Sequence, residues 1–238
     1  SLSMPSYALF AEPKKSPFPK QSRISSSIAS KAPKIKWEID PRKCFTREEV
    51  CKLLEAAENR KKTATKCGVR DWLYVTISLM TGLRISEVAA LKCKDVFFSR
   101  SALFPHIFVA NGKGGKARRV PINRRTIKAL IEYRIYKQTW GEDWWEEEAL
   151  LRSPTGGHYS RWGLAQMFRR VLRLTDIEHQ KRFTPHSLRH SYASHLFKAT
   201  GNIKIVSDFL GHTSVVVTEV YISLMEERCP AIEKLYRS

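Results

Sequence analysis

Apolar positions recur at two different periods along the chain, and the change of period divides it. From Thr46 the helical spacing is kept by Val50, Leu53, Leu54 and Ala57, with Thr46 and Glu49 forming a capping-box pair ahead of them. A second helix is expected from about Val69, with Leu73, Ile77 and Met80 inward and Gly82 at its end. Arg84 then falls at a helix junction that Val88 and Leu91 hold down. Between Asp95 and Ile122 the period becomes strand-like. Val96 to Phe98, Ile107 to Ala110 and Ala117 to Ile122 predict three short strands, the last two joined by the glycine-rich turn from Asn111 to Lys116. Helical spacing returns at Asn123 with Ile127, Leu130 and Ile131 on one face. It continues after a capping Ser160 with Leu164, Met167, Phe168, Val171 and Leu172, and again through Ile205, Val206, Phe209 and Leu210. Ile232, Leu235 and Tyr236 predict a last short amphipathic helix.

Composition turns this helical pattern toward a polyanion. The 238 residues carry 42 Lys and Arg against 23 Asp and Glu, a net charge of +19, and nucleic acid is the default partner for so basic a chain. A membrane surface is the weaker candidate, because the cations are spread over the chain and no one amphipathic segment gathers them. No apolar run reaches the length of a membrane span and no hydrophobic signal core opens the chain, so an intracellular, cytoplasmic protein is expected. Cys44, Cys51, Cys67, Cys93 and Cys229 are odd in number and sit at no metal-ligand spacing, which suits reduced thiols. The residues up to about Lys36 are rich in Ser, Pro and Lys with Glu12 the only acid, the composition of an extended basic arm. The reverse charge sits in Glu142 to Glu148, read as a solvated acidic and aromatic loop facing away from a nucleic acid.

The candidate chemistry lies mostly near the C-terminus. Thr184 and Pro185 read as a helix start, which puts His186 and Arg189 three residues apart on one face at an anion-attracting terminus. Tyr221 can serve as a nucleophile only among cations, since a phenol near pKa 10 is otherwise protonated at neutral pH. Lys113 sits on the glycine-rich turn, whose spacing is not that of a phosphate-binding P-loop, so no nucleotide site is assigned. Alone, each of these residues reads better as structural than as functional.

Their joint order resembles the catalytic domain of the tyrosine recombinases, the family of phage integrases and Xer-type recombinases. The resemblance covers about Thr46 to Ser238. It rests on Thr81-Gly82-Leu83-Arg84-Ile85-Ser86-Glu87, on Gly112-Lys113-Gly114 with Arg119-Val120-Pro121 behind it, on His186-Ser187-Leu188-Arg189-His190, and on Leu210-Gly211-His212 ahead of Tyr221. It implies a mainly α fold with a small antiparallel β-sheet at one edge, the DNA breaking-rejoining fold. It also implies that Tyr221 attacks the scissile phosphate to form a 3′-phosphotyrosyl link, that Arg84 and Arg189 clamp the non-bridging oxygens, that Lys113 protonates the leaving 5′-oxygen, that His186 helps to accept the tyrosine proton, and that His212 bonds the phosphate. Glu87 would orient the Arg84 junction and His190 would pack. No metal and no cofactor are implied.

The implied partner is double-stranded DNA, bound by a homo-tetramer that exchanges its C-terminal segment, in the cytoplasm at the nucleoid, with no membrane and no nucleotide cofactor. The expected division is a basic extended arm or interdomain linker over residues 1–44 and a catalytic domain over residues 45–238, with no room before Thr46 for the N-terminal DNA-clamping domain of family members. Two other readings compete. A type IB topoisomerase uses a similar residue set, but His rather than Lys at position 186 and the short linear spacing favour the recombinase. A non-catalytic helix-turn-helix regulator would use Lys204 to Tyr221 and would leave Arg84, Lys113 and the His186–Arg189 pair unexplained.

Overall fold

The structure is a computed structural model that describes residues 41–98, 105–110 and 117–210. Its elements, in chain order, are α1 (Arg47–Lys62), α2 (Lys66–Thr81), α3 (Ile85–Ala90), β1 (Val96–Phe97), β2 (His106–Val109), β3 (Arg118–Pro121), α4 (Arg124–Thr139), α5 (Arg161–Leu172), α6 (Pro185–Thr200) and α7 (Ile203–Phe209). This is the mainly helical fold with one small antiparallel sheet that the sequence pattern led us to expect. Among the described residues no helix is long and apolar enough to cross a membrane.

α2 is the axis of the core. It packs against α1, α4, α5 and α6, and every residue from Gly68 to Thr81 is buried. A helix covered on all sides shows no single apolar stripe, which is why periodicity placed its start three residues late. Its cap, Thr65, accepts the Gly68 N–H at 3.0 Å, and Gly82 ends it with φ +62°. α1 begins as expected, with Thr46 Oγ1 accepting the Glu49 N–H at 3.1 Å and Glu49 Oε2 accepting the Thr46 N–H at 2.7 Å. Ahead of it Phe45 stacks on Phe183 at 3.9 Å, and the Phe45 N–H donates to Ser191 Oγ at 2.7 Å, tying the start of α1 to α6.

The sheet runs β1-β2-β3, with Ile107 opposite Val96 and Val120, and Val109 opposite Arg118. Residues alternate across a strand, so Arg118 shares the inward face with Val120 while Arg119 points outward. On α5 the expected stripe from Leu164 to Leu172 is buried, and Ser160 caps it by accepting the Gly163 N–H at 3.1 Å.

Two expectations need correction. Ile131 is 45% exposed, because the inward face of α4 is set by Thr126, Ala129, Leu130, Tyr133 and Lys137, a quarter-turn away. The acidic stretch is not one solvated loop. Glu142 is buried and accepts from Arg70 at 2.5 Å and Lys66 at 3.1 Å, and Glu147 takes Lys92 and Lys94. These carboxylates answer cations of α2 and of the segment after α3, partners that local sequence does not reveal.

Candidate active site

The site forms where the C-terminal end of α2, α3, β3, α6 and the end of α7 converge. Gly82 makes this convergence possible. Its backbone is in the left-handed region, and a Cβ there would come within 2.4 Å of Tyr192 Cδ1 and 3.0 Å of Leu210 Cδ2. Glycine thus lets the chain turn sharply under α6 and α7 and deliver Arg84 two residues later.

Arg84 is the N-cap residue of α3, and Glu87 at the third helical position reaches back to it. Glu87 Oε2 accepts the Arg84 N–H at 2.8 Å, and Oε1 accepts from the Arg84 guanidinium at 2.9 Å. Arg118 approaches the same carboxylate from β3 with both terminal nitrogens, each at 2.8 Å, one to each oxygen. Burial by itself would raise the Glu87 pKa, but the fork from Arg118 and the bonds from Arg84 outweigh it and hold the carboxyl down to about 2. Glu87 is therefore ionised throughout the neutral range.

Arg189 comes from the second turn of α6. That helix starts as predicted, with Pro185 in its first turn, and the Ser187 hydroxyl rather than the Thr184 side chain makes the cap contact, accepting the Thr184 N–H at 3.1 Å. Arg189 is buried and donates to two backbone carbonyls, Gly82 O at 2.5 Å and Leu210 O at 2.9 Å. One guanidinium thereby ties together three stretches distant in sequence: the turn before Arg84, the start of α6 and Leu210 at the end of α7. Burial first, and then the positive charges of Arg84 and Arg118, push its pKa down to about 9, with Glu87 opposing. Three guanidinium groups around one carboxylate leave excess positive charge in a largely water-excluded corner, the electrostatics an anion needs.

His186 lies on α6 one turn ahead of Arg189 and is exposed. Lys113, His212 and Tyr221 fall outside the described residues. Beside α3 a groove of about 800 Å³ is lined by Ser86, Glu87, Phe108, His158 and Arg161, among others, so it borders the Glu87 side of the cluster. Among the described residues no group of three or more His, Cys, Asp or Glu is placed to hold a metal. The residue that sequence reading missed is Arg118. Its signal was present: it shares strand parity with buried Val120, and an arginine on an inward face requires an acidic partner.

Residues 43–228 match the model of the phage integrase family. The tyrosine recombinase XerA of Pyrococcus horikoshii is 29% identical over 221 residues, covering 92% of this chain and 70% of that protein. The tyrosine recombinase XerD of Mycobacterium tuberculosis is 32% identical over 181 residues, covering 75% of this chain and 56% of that protein. Among solved structures, the XerH site-specific recombinase bound to its difH substrate aligns with TM-score 0.59 and 25% identity over 78% of this chain and 51% of that one. The XerA recombinase aligns with TM-score 0.57 and 25% identity over 81% of this chain and 62% of that one. The chain thus spans little more than half the length of most of these relatives.

Proposed function

The chain belongs to the phage integrase family, and from that premise we propose that it is a site-specific DNA recombinase that cleaves and rejoins strands through a 3′-phosphotyrosyl intermediate. The observation that carries this reading is the Arg84–Arg189 pair. The two side chains come from helices about a hundred residues apart in sequence, and Arg189 is bonded to the Gly82 carbonyl beside the Arg84 turn. Two preorganised guanidinium groups suit the two non-bridging oxygens of a phosphodiester, where charge grows in the transition state.

In this mechanism Tyr221 attacks the phosphorus in line and the 5′-oxygen leaves, so that the phosphodiester is exchanged for a phosphotyrosyl ester without loss of bond energy. Arg84 and Arg189 hold the non-bridging oxygens. Lys113 delivers a proton to the leaving oxygen, His186 helps to accept the proton of Tyr221, and His212 bonds the phosphate. The partner is double-stranded DNA, engaged at the nucleoid by a homo-tetramer that exchanges C-terminal segments. Residues 45–238 form the catalytic domain, and residues 1–44 serve as a basic arm or linker. The relative solved on its difH substrate supports a DNA substrate, as does the net charge of +19.

The test is a suicide-substrate assay. The full chain is incubated without metal with nicked duplexes of candidate sites, and denaturing gels are read for protein joined to DNA. A covalent adduct is expected, and Tyr221→Phe should abolish it while retaining DNA binding. An adduct that survives Tyr221→Phe overturns the nucleophile assignment. Firm binding with no adduct on any site favours the regulator reading.

A further inference from the structure

Glu87 is the most heavily bonded carboxylate near the proposed site, and half of its bonds come from a residue to which no role has been given. Arg118 lies on the inward face of β3, its side chain only 8% exposed, and both its terminal nitrogens are engaged by the Glu87 oxygens. Those oxygens also hold the Arg84 N–H and guanidinium. Arg118 is turned to the carboxylate in a fork that is almost fully buried, whereas Arg84, its side chain 22% exposed, gives the same carboxylate one side-chain bond and is the guanidinium within reach of a ligand.

We infer that Arg118 is a positioning residue for strand cleavage: by gripping both oxygens of Glu87 from the sheet, it fixes the carboxylate that aims Arg84 at the scissile phosphate. This rests on the recombinase reading above and adds a dependence of that reaction on β3. The geometry explains why one contact would not suffice. A carboxylate on the short helix α3 could rotate about its side-chain torsions, and a two-point fork from a strand removes that freedom. A displacement of about 1 Å at a reacting group can cost on the order of 10²-fold in rate.

The charged groups facing Glu87 are Arg84 from its own helix, Arg118 from β3 and Arg189 from α6, whose ionisation it supports. The groove that it lines also carries Lys92, Lys94, Asp95, His158, Tyr159 and Arg161. With Arg118 present, its bonds and those of Arg84 keep Glu87 ionised down to about pH 2, so cleavage has no acid limb from this group at pH 5 and above. Without Arg118 the burial that opposes ionisation is less well countered and the Glu87 pKa rises. Protonated Glu87 releases Arg84, so the variant loses rate as pH falls.

The experiment is single-turnover cleavage of a suicide substrate by the full chain between pH 5 and 9, using wild type, Arg118→Gln, Arg118→Lys, Glu87→Gln and the double variant Arg118→Gln/Glu87→Gln. Arg118→Gln should lose on the order of 10²-fold in rate per folded molecule at neutral pH and show a new acid limb, with DNA affinity close to wild type and a lowered melting transition, as for any broken buried ion pair. Arg118→Lys, which keeps the charge but cannot fork, should fall between the two. The double variant should be no slower than Glu87→Gln alone, because the two residues act in series. Losses that multiply in the double variant, or a wild-type rate and pH profile in Arg118→Gln, overturn the inference. Should Arg118→Gln not fold, Arg118→Lys decides: a cleavage rate below wild type supports the inference and a wild-type rate overturns it. An absence of adduct from wild type would instead bring down the recombinase reading, so the two failures are distinguishable.

Discussion

Two arginines, Arg170 and Arg189, sit near opposite ends of α2, and they dispose of their charge in opposite ways. Arg170 donates to both oxygens of Asp71, at 3.0 and 2.6 Å, and Arg60 meets the same carboxylate at 2.8 Å. The bonds to Asp71 outweigh the cost of burial and raise the Arg170 pKa. Arg189 donates to the neutral carbonyls of Gly82 and Leu210, and its pKa falls. A cation forked onto both oxygens of a carboxylate, as Arg170 is, holds α1, α2 and α5 together and keeps little attraction for a ligand, whereas Arg84 gives Glu87 a single side-chain bond. A cation held in place by carbonyl dipoles is just as well oriented, yet its charge stays uncompensated. That difference distinguishes a structural guanidinium from one prepared for phosphate, although in the sequence both are simply arginines on amphipathic helices.

Mutations at the two ends should separate stability from chemistry. Asp71→Ala leaves Arg170 and Arg60 without their shared acid, and a loss of about 3–5 kcal/mol is expected for breaking a buried ion pair. Chemical denaturation should register that loss, while the cleavage rate per folded molecule stays near wild type. A cleavage defect as large as the stability defect would erase the distinction. Arg84→Ala should do the reverse. Removing one preorganised donor costs about 10²–10³ in the chemical step, with DNA affinity nearly kept because most of it comes from other phosphate contacts. Equal losses in binding and cleavage would mark Arg84 as a binding residue.

Gly82→Ala should damage both properties at once. The left-handed backbone alone costs about 1–2 kcal/mol in any residue with a Cβ, and the clash with Tyr192 adds to it. Since the Gly82 carbonyl is an Arg189 ligand, cleavage measured well below the melting temperature should also fall. A variant that melts early but cleaves normally would show that the turn supports the fold alone. The smallest effect should come from Thr46→Ala. This breaks the capping box of α1 for about 1 kcal/mol but removes no bond to Arg84, Glu87 or Arg189, so it should leave cleavage unchanged.

The features legible in the sequence were those set by neighbours along the chain. The capping box at Thr46, the Ser160 cap, the stop at Gly82 and the buried stripe of α5 all depend on residues within one or two turns, and they stand where the pattern put them. The link between Arg84 and Glu87, which the family resemblance implied, is likewise local, three positions apart on a helix start. What escaped was each feature whose partner is distant. The start of α2 was misplaced because a helix wrapped by four others carries no polar face. Glu142 was taken for a solvated acid because Arg70 lies 72 positions away, and Arg118 was passed over because Glu87 lies 31 positions away.

The sequence by itself determined which elements form among the described residues, the excess of positive charge and the family to which the chain belongs, because local periodicity, composition and motif order do not depend on how helices pack. Only the tertiary structure decided which arginines are spent and which remain available. The choice between a carboxylate and a carbonyl as partner is made across β3, α3, α6 and α7, by the close approach that a glycine at position 82 allows.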